Sequence, residues 1–568
     1  MKRFYSELVE AIKKEKPADM TNLKIILSRK HGMKKVPSNI EVFLNSSEDE
    51  LKGLKLVTKP TRTLSGVASI SIMTAPFGCP HGRCTFCPGG PNSVFGNVPQ
   101  SYTGHEPATM RAIRNNFDAY MQVFSRLEQY AVLGQDFDKI ELIIQGGTFP
   151  SMDKTYQDEF IACAYKAMSD FSEEFFADDK LNLQKFKEFF ELPSEYRNEE
   201  RVKRVKEKIL QLKSKTTTKN NGSSSNELLR IEQKRNETAK IRCIGLTIET
   251  KPDWGLLEHG NQLLKLGCTR VELGVQSVYE TPLKLTNRGH SIADTIQSTK
   301  ILKDLGFKIN AHYMLGLPGV ARDEEISGLK QLFSNPDFKP DMLKIYPLLV
   351  IEGTPLYLQW KRGQYEPIST SEAAEIISEA KRFFPKWVRV MRVNRDIPTY
   401  VTSAGVDRTN LRQYVQKLQQ KKNILCNCIR CREVGRNKMF ENAEITVTEY
   451  DASGGKEFFI AAEDSKNNVL LGFCRLRFPS QQLREEITAT AALIRELHVY
   501  AAAVAVGKEA EEKQVQHRGY GKKLMEKAEE IAKENGYDKM LVISGAGAKE
   551  YYKKLGYDYE GVYMGKKL

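Results

Sequence analysis

The sequence predicts an α/β protein in two parts: a partial parallel (β/α)6 barrel over residues 66–400 and a mixed α/β domain over 441–568. Three observations predict it. Short, β-branched, apolar runs alternate six times with helical patterns, as strands buried on both faces and joined by right-handed crossovers should. Six units fall short of the eight that close a barrel, so one side is expected to stay open. Beyond residue 441 the alternation gives way to four strands in succession, then a glycine-rich turn that opens an amphipathic helix.

In chain order, residues 1–65 form a basic extension. Residues 1–35 carry ten Lys or Arg against four acids, and a helical reading of 3–15 puts Phe4, Leu8 and Ile12 on one face. The barrel strands are VASISIMT (67–74), KIELIIQ (139–145), IRCIGLTIE (241–249), RVELGVQS (270–277), KINAHYML (308–315) and MLKIYPLLV (342–350). Helical text such as SIADTIQSTKILKDLG separates them. Between about 171 and 240 the chain turns highly charged and ends in KSKTTTKNNGSSSNELLRIEQKRNE, which reads as an exposed flexible insertion without chemistry.

Parallel α/β folds place their sites at the carboxyl ends of the strands. The first strand is followed by CPHGRCTFCPGGPNS, which offers the thiolates of Cys79, Cys84 and Cys87. Thiolates suit iron–sulfur clusters, and three on one loop can hold a four-iron cluster while leaving one iron open for the amino and carboxylate groups of S-adenosylmethionine. A zinc site is the alternative. Phe86, the Gly89–Gly90 pair and the lack of a nearby fourth Cys or paired His favour the cluster. Gly146, Gly147 and Thr148 end the second strand, Glu249, Thr250, Lys251 and Pro252 the third, Gln276 and Ser277 the fourth, and Gly316–Gly319 the fifth, so small or polar ends share one register.

Residues 381–412 carry eight Lys or Arg against two acids, interleaved with Phe383, Phe384, Trp387 and Tyr400. Cations for phosphates beside rings for unpaired bases suit structured RNA with a single-stranded loop, although a solvated helix face has the same composition. Residues 401–440 form a linker with Cys426, Cys428 and Cys431 in C-x-C-x2-C spacing, which suits zinc; a second iron–sulfur cluster is the other reading. In the last domain, Gln516, Gly519 and Gly521 form Q-x-x-G-x-G at a helix start, where backbone N–H groups can hold a pyrophosphate. The Ala-rich text nearby departs from the polar loop expected there.

Ten Cys in 568 residues form no disulfide framework and imply a reducing compartment. No apolar run reaches the roughly 18–20 residues of a membrane helix, so a cytoplasmic protein without a membrane partner is expected. The net charge of +14 makes an anionic partner plausible.

The C-terminal text, with its glycine turn and Tyr551–Tyr552, resembles the coenzyme A site of GNAT acetyltransferases. From end to end the chain resembles the catalytic subunit of Elongator in its single-chain form, through CPHGRCTFCPGGPNS, QSYTGHEPATMRAIR, QGGTF, GLTIETKPD, MLGLPG, CIRCREVG, RELHVY and QHRGYGKKLMEKAE. The four-residue gap between the first two cysteines, where most radical S-adenosylmethionine enzymes have three, belongs to this family. The resemblance implies a radical S-adenosylmethionine barrel followed by a GNAT domain. It also implies a tRNA-modifying enzyme that converts the wobble uridine in the anticodon stem-loop to 5-carboxymethyluridine with acetyl-CoA. By motif match, Cys79, Cys84 and Cys87 hold a 4Fe-4S cluster, and Gly146, Gly147 and Thr148 face S-adenosylmethionine, with Glu249 beside them. Lys139, Glu496, Leu497, His498, Val499, Tyr520, Gly521, Lys522 and Tyr552 match acetyl-CoA positions, and Lys139, Glu496, His498 and Tyr552 are the catalytic candidates. An electron donor is implied, and a homodimer or Elongator-like subunits are possible partners. The rival readings are a protein lysine acetyltransferase, using Glu496 or His498 as base, and a tRNA-binding scaffold without catalysis.

Overall fold

Seven parallel strands, one more than the sequence predicts, form the first sheet. Ala68–Met73 (β1), Lys139–Gln145 (β2), Arg242–Thr250 (β3), Cys268–Gln276 (β4), Lys308–Leu315 (β5), Met342–Pro347 (β6) and Arg389–Arg392 (β7) lie side by side in chain order. The extra strand, β7, comes from the basic stretch 381–412 and pairs with β6 at Met342↔Arg389. Four residues, two of them Arg, carry no apolar run to mark it. The computed structural model describes residues 2–15, 20–54, 56–58, 63, 66–194, 198–217, 224–434, 440, 442–500 and 519–568. β1 and β7 each have a single neighbour, so the barrel is partial and open between them.

The strands have unlike faces. Ile140, Leu142, Ile144, Val271, Leu273, Ile309 and Ala311 are buried in the main apolar core. Alternate positions carry Glu141, Arg270, Glu272, Asn310, His312 and Lys344, which bond to one another: Arg270 to Glu141 (2.5 Å), Asn310 to Glu272 (3.1 Å), His312 to Glu272 (2.9 Å), and Lys344 also to Glu272. The period-2 geometry of a strand separates the two sets.

The flexible insertion expected over 171–240 is instead mostly helical in its described residues, with helices at Leu183–Phe189, Glu199–Thr217 and Ser225–Asn236. Val205, Ile209 and Leu229 are buried, and Phe171, Phe175, Phe186 and Phe190 pack ring on ring. One apolar stripe on strongly charged helices suffices for docking, and the charge masked it. At the N-terminus, Lys2–Glu15 is a helix that buries Phe4, Leu8 and Ile12 against Leu27, Val42 and Leu56.

The second sheet runs Glu444–Ala452 (β8), Gly455–Asp464 (β9), Val469–Phe478 (β10), Ala491–Val499 (β11), Lys539–Val542 (β12), Asp558–Glu560 (β13) and Tyr563–Lys567 (β14), in the order β8-β9-β10-β11-β12-β14-β13. β11 and β12 pair parallel only from Ala491↔Lys539 to Ile494↔Val542. Beyond Ile494 they part, and the helix Tyr520–Glu534 packs on β9, β10 and β11.

This domain docks on the amino ends of the barrel strands. Arg495 donates to Asp341 (2.6 and 2.8 Å) and to the Phe307 carbonyl (2.8 Å), and Arg477 donates to Asp304 (2.5 and 2.8 Å). Glu457 pairs with both arginines. All these side chains are fully buried, where a charge is tolerated only with close partners. Burial opposes the charge on Asp341, yet Arg495, Lys303 and Arg475 overcome it and hold the carboxyl well below its ordinary range.

Candidate active site

The loop after β1 carries the three cysteines to the carboxyl end of the sheet, beside a cleft open to solvent. Cys79, Gln145, Gly147, Thr148, Glu249, Gln276, Arg288 and His312 line it. Each thiol meets a hydrogen-bonding group from elsewhere in the chain. Thr148 Oγ1 lies 3.8 Å from Cys79 Sγ; Gln100 Nε2 donates to Cys87 Sγ at 2.9 Å, with Ser101 Oγ at 3.5 Å; and His81 Nε2 and Arg288 Nη1 lie 3.3 and 3.6 Å from Cys84 Sγ. Burial pushes the Cys79 thiol up, against the opposing pull of Thr148 and Arg288, and the buried Lys251 adds further positive charge to the site. Three sulfurs on one cleft-side loop, ringed by donors, fit an iron–sulfur cluster in chemistry and in number.

Gly146 and Gly147 sit at φ +129° and +110°, a region closed to side chains. A Cβ on Gly146 would collide with Thr74, and one on Gly147 would come within 4.0 Å of Cys79 Sγ. The bare backbone thus runs against the cysteine loop. Glu249 accepts from Tyr102 OH (3.1 Å) and Gln145 Nε2 (3.3 Å), and it lies close to Glu272 and His312. Gln100, Arg288 and Tyr102 are site residues that the sequence does not disclose. QSYTGHEPATMRAIR stands out as a string, but nothing in it says which side chain turns inward.

The second group gathers around the splay of β11. Glu496, Leu497, His498 and Val499 occupy the end that has left β12 but stays paired with β10, Gly519 (φ +74°) caps the helix bearing Tyr520, Gly521 and Lys522, and Tyr552 is buried nearby. A Cβ on Gly521 would meet Tyr551 OH at 2.6 Å and Val499 at 3.8 Å, so these elements converge. Lys522 is exposed and paired only loosely with Glu526, at 3.6 Å. Gln516 lies outside the described residues, as does the Ala-rich text 501–507. Arg475 donates to Glu496 at 2.8 Å. Burial opposes the Glu496 charge, but Arg475 and then Lys308 keep the carboxyl below its ordinary range. His498 stacks on Phe473, and burial lowers it to about 4. Lys308, which no sequence signal marks, starts β5.

Lys139 is half-buried at the start of β2, paired in register with Arg242, whose Cβ abuts Gly547 of the second domain. It therefore lies at the end of β2 opposite the cysteine loop. Gln145, at the other end, lines the cleft, and six residues of strand separate the two by about 20 Å.

The third cysteine group is compact. The sulfurs of Cys426, Cys428 and Cys431 lie within 4.8 Å of one another, and Lys381 Nζ is 3.5 Å from two of them. Among the described residues no His, Asp or Glu joins them.

Within 381–412 the structure divides the expected RNA surface. Phe384 is buried, Phe383 and Trp387 pack on the core, and Arg389 is tied to Glu433 (2.6 Å) and Tyr500 OH (2.7 Å). Those four serve the interior, because β7 and the domain contact claim them. Tyr400 remains 76% exposed.

Four family models match the chain: the ELP3 N-terminal domain (1–64), the Radical SAM superfamily (216–328), the Radical_SAM C-terminal domain (340–421) and the Acetyltransferase (GNAT) family (430–557). The chain is 47% identical to a tRNA uridine(34) acetyltransferase of Methanocaldococcus infernus over 94% of this chain and 92% of that one. It is 37% identical to Elongator complex protein 3 of Homo sapiens over 99% and 95% of the two chains. The solved structure of archaeal Methanocaldococcus infernus Elp3 with an N-terminal deletion superposes with a TM-score of 0.71, at 41% identity, over 89% of this chain and 100% of that one. Among the described residues no helix is long and apolar enough to cross a membrane.

Proposed function

Since the chain belongs to the family of the tRNA uridine(34) acetyltransferases and Elongator complex protein 3, we propose that it converts the wobble uridine of tRNA to 5-carboxymethyluridine. The added carbons come from acetyl-CoA, and S-adenosylmethionine provides the radical that joins them. The observation that carries this reading is one sheet with a cysteine-lined cleft at its carboxyl end and an acetyltransferase domain docked at its amino end. C5 of uridine is a poor nucleophile and an acetyl methyl a poor electrophile, so polar acyl transfer cannot join them.

A 4Fe-4S cluster held by Cys79, Cys84 and Cys87 would supply the electron that cleaves S-adenosylmethionine to a 5'-deoxyadenosyl radical. The chain's own residues do the rest by position. Gly146 and Gly147 offer bare backbone to the amino acid end of S-adenosylmethionine, with Thr148 and Glu249 beside them. Glu496, Leu497, His498, Val499, Gly519, Tyr520, Gly521, Lys522 and Tyr552 hold acetyl-CoA, and Lys139 contacts it from the barrel. The acetyl group must then cross the length of the barrel strands to reach the cleft. Cys426, Cys428 and Cys431 hold a structural zinc, a reading supported by their converging sulfurs. The setting is a cytoplasmic, RNA-binding enzyme with an external electron donor.

Lysine acetylation fits less well, because it needs a base poised near neutrality. Glu496 is committed to Arg475, and His498 titrates near 4. The test is nucleoside mass analysis after the reduced protein acts on tRNA with S-adenosylmethionine and acetyl-CoA labelled with carbon-13 in the acetyl group. Both labelled carbons should appear on the wobble uridine. Unmodified tRNA alongside acetylated protein lysines would reverse the assignment.

A further inference from the structure

The open side of the barrel is bridged at its carboxyl end by aromatic side chains from loops that leave its two edge strands. Phe95 and His105 lie on the loop after β1, and Tyr400 follows β7. Phe95 meets His105 edge to face with ring centroids 6.3 Å apart, and His105 meets Tyr400 likewise at 5.8 Å. Tyr400 OH and His105 Nδ1 are 3.5 Å apart, which sets the tilt of the tyrosine ring. Beneath this contact Arg395 donates to the Ser101 carbonyl across the same seam at 2.8 Å.

The bridge sits directly on the lip of the cleft, because Ser101, Tyr102, Glu106, Arg392, Arg395 and Asp396 line the cavity. The outermost ring is bare: Tyr400 is 76% exposed, and His105 is exposed as well. A tyrosine whose function was to latch the seam would bury its ring. This one presents it to solvent, while Arg392, exposed and paired with Asp396, and Arg395 lie on the rim of the same cleft. A flat ring beside cations at the mouth of a narrow cleft matches the chemistry of an unpaired base and its phosphate.

We propose that Tyr400, braced by His105 and Phe95, is a stacking platform for an unpaired base of an RNA loop whose neighbouring nucleotide enters the cleft. The inference rests on the tRNA-modifying reading of the cleft. It adds the residues that grip the loop and the class of ligand they take, a single-stranded base rather than a helical stem. Stacking is indifferent to base identity, so the platform holds the loop open without choosing the sequence.

The experiment compares equilibrium binding of an anticodon stem-loop with that of a blunt duplex of the same stem, using the full-length protein. Tyr400→Ala should weaken stem-loop binding by about 5- to 100-fold, the usual range for one stacked base, while Tyr400→Phe, which keeps the ring, stays within about twofold of wild type. Duplex affinity and the slope of log affinity against log salt should not move, because every cation that meets a phosphate is still in place. Unchanged stem-loop affinity in Tyr400→Ala, or an equal loss on stem-loop and duplex, would overturn the proposal. The parent reading fails separately, when wild-type protein given every co-substrate leaves the wobble uridine unmodified.

Discussion

The two ends of the barrel strands differ in how their buried polar groups are satisfied. At the amino end, every guanidinium nitrogen of Arg477 and Arg495 has a partner, shared among Asp304, Asp341, Glu457 and backbone carbonyls. At the carboxyl end, Thr74 Oγ1, Gln276 Oε1, Arg288 Nε and His81 Nδ1 are buried without a hydrogen-bond partner, and at the amino end Arg475 Nη1 and Arg242 Nε are as well. Buried polar atoms are ordinarily paired, and the four at the carboxyl end gather around the cysteine loop and its cleft. The lesson is that one sheet serves two purposes, as a welded joint below and an unfinished site above.

Removing a thiol tests the upper end most severely. Cys84→Ala or Cys87→Ala should abolish iron absorbance and nucleoside product while sparing tRNA affinity, read by iron content, nucleoside mass and filter binding. Product at wild-type level from either variant would remove the distinction between the ends.

The lower end should respond in stability. Arg495→Met leaves Asp341 and Glu457 short of their shared partner, and breaking a buried pair from one side costs about 3–5 kcal/mol. The joint should also be acid-sensitive. Asp341 titrates well below its ordinary value in the folded chain, so its contribution is full above the unfolded pKa, about 3.9, and is lost as pH falls below it. Thermal melts from pH 7 downward check both, and Asp341→Asn should flatten that acid dependence.

Lys139 belongs to the lower end, at the start of β2. Lys139→Ala should weaken acetyl-CoA binding by roughly the 10- to 150-fold of one hydrogen bond to a charged group while reductive cleavage of S-adenosylmethionine continues. Equal acetyl-CoA titrations for mutant and wild type would make it a solvent-facing lysine. The smallest effect concerns the N-terminal helix: neutralising Lys13 and Lys14 should reduce the salt slope of tRNA binding by about one unit for each phosphate no longer neutralised. An unchanged slope would return them to a solvated face.

Strands written as short, mostly apolar, β-rich runs were legible to the residue, as at Lys139–Gln145 and Lys308–Leu315. The cysteine loop was legible because its ligands are adjacent in sequence. Arg389–Arg392 was not, because a four-residue edge strand takes its identity from the neighbour it pairs with rather than from its composition. The helices around Val205 and Leu229 were hidden by charge. Gln100, Arg288 and Lys308 were hidden for another reason: each joins its site through a tertiary approach that no spacing encodes. Their types, an amide and two cations, are commonplace on surfaces.

In the proposed reaction hydrogen leaves the acetyl methyl for the deoxyadenosyl carbon, which links the two ends of the barrel in a single step. Acetyl-CoA deuterated at the methyl group, incubated with tRNA, S-adenosylmethionine and reduced protein, tests it directly. Deuterium should appear in the 5'-deoxyadenosine released, in proportion to modified uridine. Carboxymethyluridine formed with no deuterium in 5'-deoxyadenosine would contradict it.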